Sequence, residues 1–199
     1  MRLRNEARRA ILDAAEQVFA AEGLHRGRME HVSRRAGTAV GTLYNHFQSR
    51  DALLAAVLQT RRRELLARVD RGINDAGAPF LDRITAFVDA ILAHYRAHRP
   101  FFSLLIEEDA AGVRSHVTNP GRARTTRQLR ARAEKLVRQG VREGALRRKD
   151  ADLWPDLLVG GIRALLVRDL AAGARRTKAL TTPRFLAFFF RGAGAGRGA

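Results

Sequence analysis

Gly37-Thr38-Ala39-Val40-Gly41-Thr42-Leu43-Tyr44-Asn45-His46-Phe47 is the stretch whose reading decides the fold of this chain. Gly37 stands where a tight turn between two helices needs a positive φ, which glycine adopts without the steric cost of a Cβ. Val40 to Phe47 then read as a short helix whose inward side chains, Leu43 and Phe47, lie four residues apart. Immediately upstream, Met29 to Ala36 read as another short helix with Met29, Val32, Ser33 and Ala36 turned inward. Immediately downstream, Ser49 offers a capping hydroxyl and Asp51 a negative charge in the first turn of a longer helix.

The helical pattern extends outward in both directions. Ile11, Ala14, Ala15, Val18 and Phe19 recur at the spacing of one helix face, and Gly23 supplies a stop. The helix capped by Ser49 carries Leu53, Leu54, Val57, Leu58, Leu65 and Val69, and breaks at Gly72 and the run from Asp75 to Pro79. A fifth helix runs from about Pro79 to His98, with Pro100 ending it, and a sixth from Phe101 to about Ala111. Gly112 to Thr118 read as a loop, after which Asn119-Pro120 open a long basic helix to about Glu143. Asp152 begins the next, with Leu153, Leu157, Leu158, Ile162, Leu165, Leu166 and Leu170 expected to be buried. Thr182-Pro183 start the last, which carries Phe185, Leu186 and Phe188 to Phe190, and Gly192 to Ala199 form a Gly/Ala tail expected to be disordered. No strand alternation and no repeat of 20–50 residues is present, so the expected class is all-α.

Composition removes several functions. The 199 residues contain no cysteine, which excludes disulfide scaffolds, thiolate metal sites and thiol chemistry. Apolar runs such as Leu157–Ile162 and Phe185–Phe190 are far shorter than the ~20 residues that span a bilayer. Met1 to Leu12 are charged and lack a secretory apolar core, so a cytoplasmic location without membrane partners is expected. There is no phosphate loop, nucleophile elbow, His-Glu metal motif or dinucleotide fingerprint, so no catalytic residue, cofactor or metal is assigned. The net charge of +17 points to a polyanion, although 34 of the 37 basic residues are Arg, a skew that base composition alone produces in some genomes.

Met29 to Phe47 have the layout of a helix-turn-helix. A helix of about two turns fits the ~12 Å major groove, and the preceding helix fixes its angle. The run from Ala36 to Phe47, followed by Ser49-Arg50-Asp51-Ala52-Leu53, resembles the TetR family of bacterial transcriptional repressors. Ala14-Ala15, Phe19, Gly23-Leu24 and Val32 extend the resemblance over roughly residues 8–55. It implies an all-helical homodimer, with a three-helix DNA-binding domain at 1–48 and an effector-binding and dimerisation domain at 49–191. It also implies DNA contacts from Thr42, Tyr44 and His46 and a phosphate contact from Arg50. Asn45, on the same short helix, joins these as a candidate. Three positions depart from the family pattern. Arg28 stands where Ser or Thr caps the second helix, and it reaches phosphate instead. Ala39 replaces a Ser cap, which leaves the cap to Thr38. Val40 replaces Lys and gains a surface for a thymine methyl.

Beyond residue 49 the reading is coarser. Phe87, Ile91, His94, Tyr95, Phe102, Leu105, Trp154 and Leu158 are candidate walls of an apolar effector cavity. His94 and His98, four residues apart, lack an evident third ligand and are not assigned to a metal. Glu107, Glu108 and Asp109 are an acidic cluster that either meets a cationic ligand or pairs with local Arg. Leu157, Gly160, Gly161, Ala164, Phe185 and Phe189 are the candidate dimer interface, where small residues admit a partner helix and phenylalanines seek cover. Residues 121–150 carry a net charge of +8 against +4 in residues 1–50, so the basic charge is densest away from the DNA-reading motif. The expected function is a ligand-responsive repressor that binds a palindromic duplex DNA operator as a homodimer and is released by a small apolar effector. The alternative is a non-specific nucleic-acid or polyanion binder without effector control.

Overall fold

The structure, a computed structural model, describes residues 2–75, 77–110, 119–149, 151–171 and 180–193, with the backbone alone at 2–5, 108–110, 119–120 and 192–193. Among these residues the chain forms nine helices and no strand. They are α1 (Arg2–Glu22), α2 (Met29–Ala36), α3 (Val40–His46), α4 (Arg50–Ile73), α5 (Phe80–Ala97), α6 (Arg99–Ala110), α7 (Asn119–Arg142), α8 (Trp154–Ala171) and α9 (Thr182–Ala193). The expected loop at 112–118, the side chains of Arg2, Arg4, Glu108 and Asp109, and the tail from 194 lie outside the described residues. No helix among them is long and apolar enough to cross a membrane.

The helices fall into two compact units. One comprises residues 1–63 and 98–121, the other 64–97 and 122–199.

In the first unit α1 packs on α2 and α6, and α2 on α3. Ile11, Ala15, Phe19, Val32, Leu43, Leu53, Val57 and Phe101 are the centre of its core, each at most 1% exposed. Ser49 caps α4 as its sequence predicts, accepting the Ala52 N–H at 3.1 Å. The expected proline stop works the other way round. Pro100 sits in the first turn of α6, where no intrahelical N–H is needed, and the helix opens with Phe102 N–H bonded to His98 O at 3.1 Å. A buried ionic cluster ties three elements together. Glu16 of α1 accepts from Arg61 Nε of α4 and is 2.7 Å from His98 Nδ1, while Arg61 Nη2 reaches Asp13 at 2.6 Å.

In the second unit α5, α8 and α9 pack on one another, and α7 adds Leu129, Ala133, Leu136 and Val137 to the core. Phe80, Ile84, Phe87 and Leu158 are fully buried. Helix α7 ends in a left-handed glycine, Gly144 at φ 71°, with Ala145 N–H returning to Gly140 O at 2.8 Å. Glu143 then accepts the Phe80 N–H at 2.9 Å and so caps the first turn of α5. That bond, with a second from Gln139, holds the Glu143 carboxyl below the ordinary carboxylate range. Arg132 grips Asp70 with two N–H groups at 2.6 and 2.7 Å, which lowers the Asp70 carboxyl and raises the guanidinium.

Helix α8 differs in phase from its expectation. It begins at Trp154, not Asp152, and Leu153 and Leu157 stand 51% and 54% exposed instead of buried. Apolar residues occupy both sides of this helix, so the leucine pattern alone does not select the inner one.

Candidate nucleic-acid interface

The turn before α3 is built by backbone geometry. Gly37 adopts φ 65° and ψ 32°, so its own N–H and that of Thr38 close back on Arg34 O and Ser33 O at 3.3 and 3.0 Å. A Cβ at Gly37 would meet nothing within 4 Å, so the constraint is the dihedral angle, not space. Inside α2, the Ser33 hydroxyl donates to Glu30 O at 3.0 Å, which satisfies a buried polar group without a partner from outside the helix.

Helix α3 hangs on two anchors, Leu43 at 0% exposure and Phe47 at 5%, with the Arg8 guanidinium 5.2 Å above the Phe47 ring. Its outward face is centred on Gly41 and Asn45 and flanked by Thr42 and Tyr44, all exposed. A Cβ at Gly41 would also meet nothing within 4 Å, so the backbone is bare at the middle of this face. Thr38, Val40 and His46 are half-buried at its margins. Neither short helix has a side-chain cap. Arg28 and Ala39 occupy the cap positions without a capping bond, and Thr38 does not supply one for α3.

Beside α3 lies an open depression of about 470 Å³ lined by His25, Arg26, Gly27, Arg28, Met29, Glu30, Tyr44 and Arg50. Four of these residues are Arg or His, Tyr44 adds a phenol, and Glu30 is the sole acid, so the wall suits an anion. Gly27 makes the wall possible. A Cβ there would approach Phe19 Cδ1 to 2.7 Å, so the loop lies directly on the α1 aromatic. Arg28 and Arg50, two of the sequence candidates, meet here. Arg50 is also bound within the fold, donating to Leu24 O and to Asp51 at 2.6 Å each. His25 and Arg26 carry no signal in the sequence that marks them as functional. They belong to a loop without periodicity, and the only hint is their position between Gly23 and Gly27.

The effector candidates do not gather in one core. Phe87, Ile91, His94 and Leu158 are buried in the second unit, with Tyr95 and Trp154 half-buried against the same core. The Trp154 indole N–H reaches Arg147 O at 3.4 Å. Phe102 and Leu105 instead pack in the first unit against the core of α1 to α4. His94 and His98 fall in different units, and His98 is bonded to Glu16. Among the described residues no three His, Asp or Glu are placed to hold a metal.

The dimer candidates divide as well. Leu157, Gly160 and Ala164 lie on the exposed face of α8, and Gly161 is half-buried beside Phe185. Phe185 and Phe189 are interior, 3% and 8% exposed and stacked with ring centroids 6.2 Å apart. The outward aromatic of α9 is Phe188, at 75% exposure.

The chain is similar to known proteins in sequence and in fold. Residues 11–57 match the family model for bacterial regulatory proteins of the tetR family. The chain is 27% identical over 166 residues to the HTH-type transcriptional regulator UidR of Escherichia coli, covering 83% of this chain and 78% of that one. It is 33% identical over 112 residues to TtgW of Pseudomonas putida, described as an uncharacterized HTH-type transcriptional regulator, covering 54% of this chain and 80% of that one. Its fold superposes on the ketosteroid transcriptional regulator KstR2 of Mycobacterium tuberculosis with a TM-score of 0.66, at 24% identity over 94% of each chain. With a glycine-turned helix pair that offers an open, slim face beside a cationic wall, the chain belongs to the TetR family and is a helix-turn-helix, DNA-binding transcriptional regulator.

Proposed function

We propose that this regulator is a ligand-responsive repressor that binds a palindromic operator as a homodimer. The observation that carries this reading is the outward face of α3, where Thr42, Tyr44 and Asn45 surround the bare backbone of Gly41. A helix so slim enters the major groove closely enough for these side chains to reach base edges. Val40 and Thr38 touch its margin, and His46 reaches toward phosphates. Arg28 and Arg50 fix the register on the backbone without reading sequence.

The division of labour follows the chain: residues 1–48 read DNA, and 49–191 bind effector and dimerise. Support for the dimer comes from the α8 stripe of Leu157, Gly160 and Ala164, with Leu153 just before the helix and Phe188 of α9. Such an apolar face, self-complementary about a two-fold axis, is covered by a second copy. Two heads then read half-sites about one helical turn apart. Support for an apolar effector comes from the aromatic and aliphatic packing around Phe87, Ile91, Tyr95, Trp154 and Leu158. The effector acts only if it binds the released conformation more tightly than the DNA-bound one.

Footprinting on the DNA upstream of the gene for this chain tests the reading. A protected palindrome is expected, and no protected palindrome at moderate salt overturns it.

A further inference from the structure

We propose that the outward face of α7 is a second, sequence-independent contact for the backbone of duplex DNA. Helix α7 buries Leu129, Ala133, Leu136 and Val137 and turns Arg124, Arg127, Lys135, Arg138 and Arg142 to solvent, with Ala123 and Ala131 among them. The five cations share one helix face over about 27 Å at the rise of an α-helix. Glu134 lies at the edge of that face and is paired with Arg130, and Glu143, after the helix, is engaged with the Phe80 N–H and Gln139.

The neighbouring cations set the comparison. Arg130 pairs with Glu134 and with Asp156, and Arg132 takes both oxygens of Asp70. The acids within reach of α7 are therefore committed to its flanks. None of the five outward cations has a carboxylate oxygen within 4 Å among the described residues, although Lys135 acts through space on Asp70 and Arg142 on Glu143, and Arg124/Arg127, Lys135/Arg138 and Arg138/Arg142 stand three or four residues apart. Like charges at those spacings repel and weaken an isolated helix. An external polyanion relieves the repulsion and releases its own counterions.

The chemistry of the face selects duplex DNA. The face carries only alanine between its charges, whereas a helix that lies in a lipid surface inserts large apolar groups. It carries no aromatic ring, so it does not stack unpaired bases. A straight row of guanidinium groups matches a row of phosphates, and a DNA-binding regulator meets duplex wherever it sits. The inference needs no particular operator or effector.

The test uses the full-length chain and a duplex of random sequence, with binding followed by fluorescence anisotropy at several salt concentrations. R124Q/R127Q/K135Q/R138Q/R142Q is expected to weaken binding and to lower the slope of log affinity against log salt by up to about 4.5, near 0.9 for each phosphate that is no longer neutralised. The charge-preserving R124K/R127K/R138K/R142K chain is expected to keep the wild-type slope, which separates charge from folding. Y44A, altered only in the head, is expected to keep the α7 part of the slope, so failure of the operator reading is distinguishable from failure of this one. A wild-type slope and affinity in the glutamine variant overturns the proposal. So does a loss seen only on phosphatidylglycerol vesicles, which would assign the face to a membrane.

Discussion

The Arg50 guanidinium, at the first residue of α4, donates to the Leu24 carbonyl in the loop after α1 at 2.6 Å. A residue expected only to touch phosphate therefore also holds the loop that forms the cationic wall beside α3. Arg50→Ala removes both functions. It is expected to lower stability by roughly 1.5–3 kcal/mol, as for a hydrogen bond from a charged donor. It should also weaken binding to all DNA sequences alike and reduce the salt slope by about one. Arg50→Lys keeps the charge and the slope but not the two-pronged grip on Leu24 and Asp51. Thermal unfolding and anisotropy across salt measure both; an Arg50→Ala chain unchanged in each would remove Arg50 from the interface.

The outward and inward faces of α3 separate reading from folding. Thr42→Ala and Tyr44→Ala leave the unfolding midpoint in place and weaken operator binding by about tenfold or more each, in keeping with 1–3 kcal/mol per base-reading contact. Leu43→Ala, at a fully buried position, costs about 2–5 kcal/mol of stability. Normal operator affinity in both surface variants would defeat the assignment of α3.

The exposed stripe of α8 and Phe188 predict a change of mass. Leu157→Arg and Phe188→Asp place charge in an interface between copies, and sedimentation is expected to show monomers that remain folded. Phe185→Ala, inside the protomer core, is expected instead to destabilise by about 3–5 kcal/mol. A dimer that survives both charged substitutions rules out this surface.

Acid sensitivity of the second unit follows from Asp70 and Glu143. Both carboxyls titrate below their ordinary range when folded, Asp70 through its hydrogen bond from Arg132 and Glu143 through the Phe80 N–H. The unfolded chain therefore binds more protons than the folded one as pH drops below the ordinary carboxylate range. Their stabilisation is present above that range and is lost as pH falls through the lowered folded values. The unfolding midpoint is expected to drop with acid, and D70N and E143Q to flatten that dependence. Equal slopes in wild type and both variants would contradict it.

Glu16 is the hinge-point of the buried ionic cluster, 8% exposed and shared by Arg61 and His98. Glu16→Ala takes one carboxylate from the buried Arg61, which keeps Asp13. Removing one partner of a buried pair costs about 3–5 kcal/mol, and Asp13 brings the expected loss toward the lower end. Denaturant unfolding measures it, and a loss under about 1 kcal/mol, the scale of an exposed pair, would mean that water reaches Arg61 freely.

What could be read from sequence was whatever local geometry dictates. Gly37 announced its turn because few residues tolerate that angle, and Ser49 announced its cap because its hydroxyl acts on a residue three positions away. Contacts between distant residues left no local trace. Arg50 meets a carbonyl 26 residues upstream, and Glu16 meets His98 82 residues downstream. Pro100 was ambiguous because proline both ends helices and fits their first turn. The phases of α8 and α9 were hidden by excess, since leucines on two sides of one and four phenylalanines in six residues of the other fit several rotations.

The recognition helix, finally, has little claim to exist by itself. Seven residues without a side-chain cap, with a glycine near the start and one fully buried anchor, fall well below the length at which a helix persists in water. A peptide copied from Val40 to His46 would be a random coil and would have to surrender its conformational freedom on each encounter with DNA. Any synthetic mimic of this regulator therefore has to carry α1, α2 and the loop held by Arg50 along with α3.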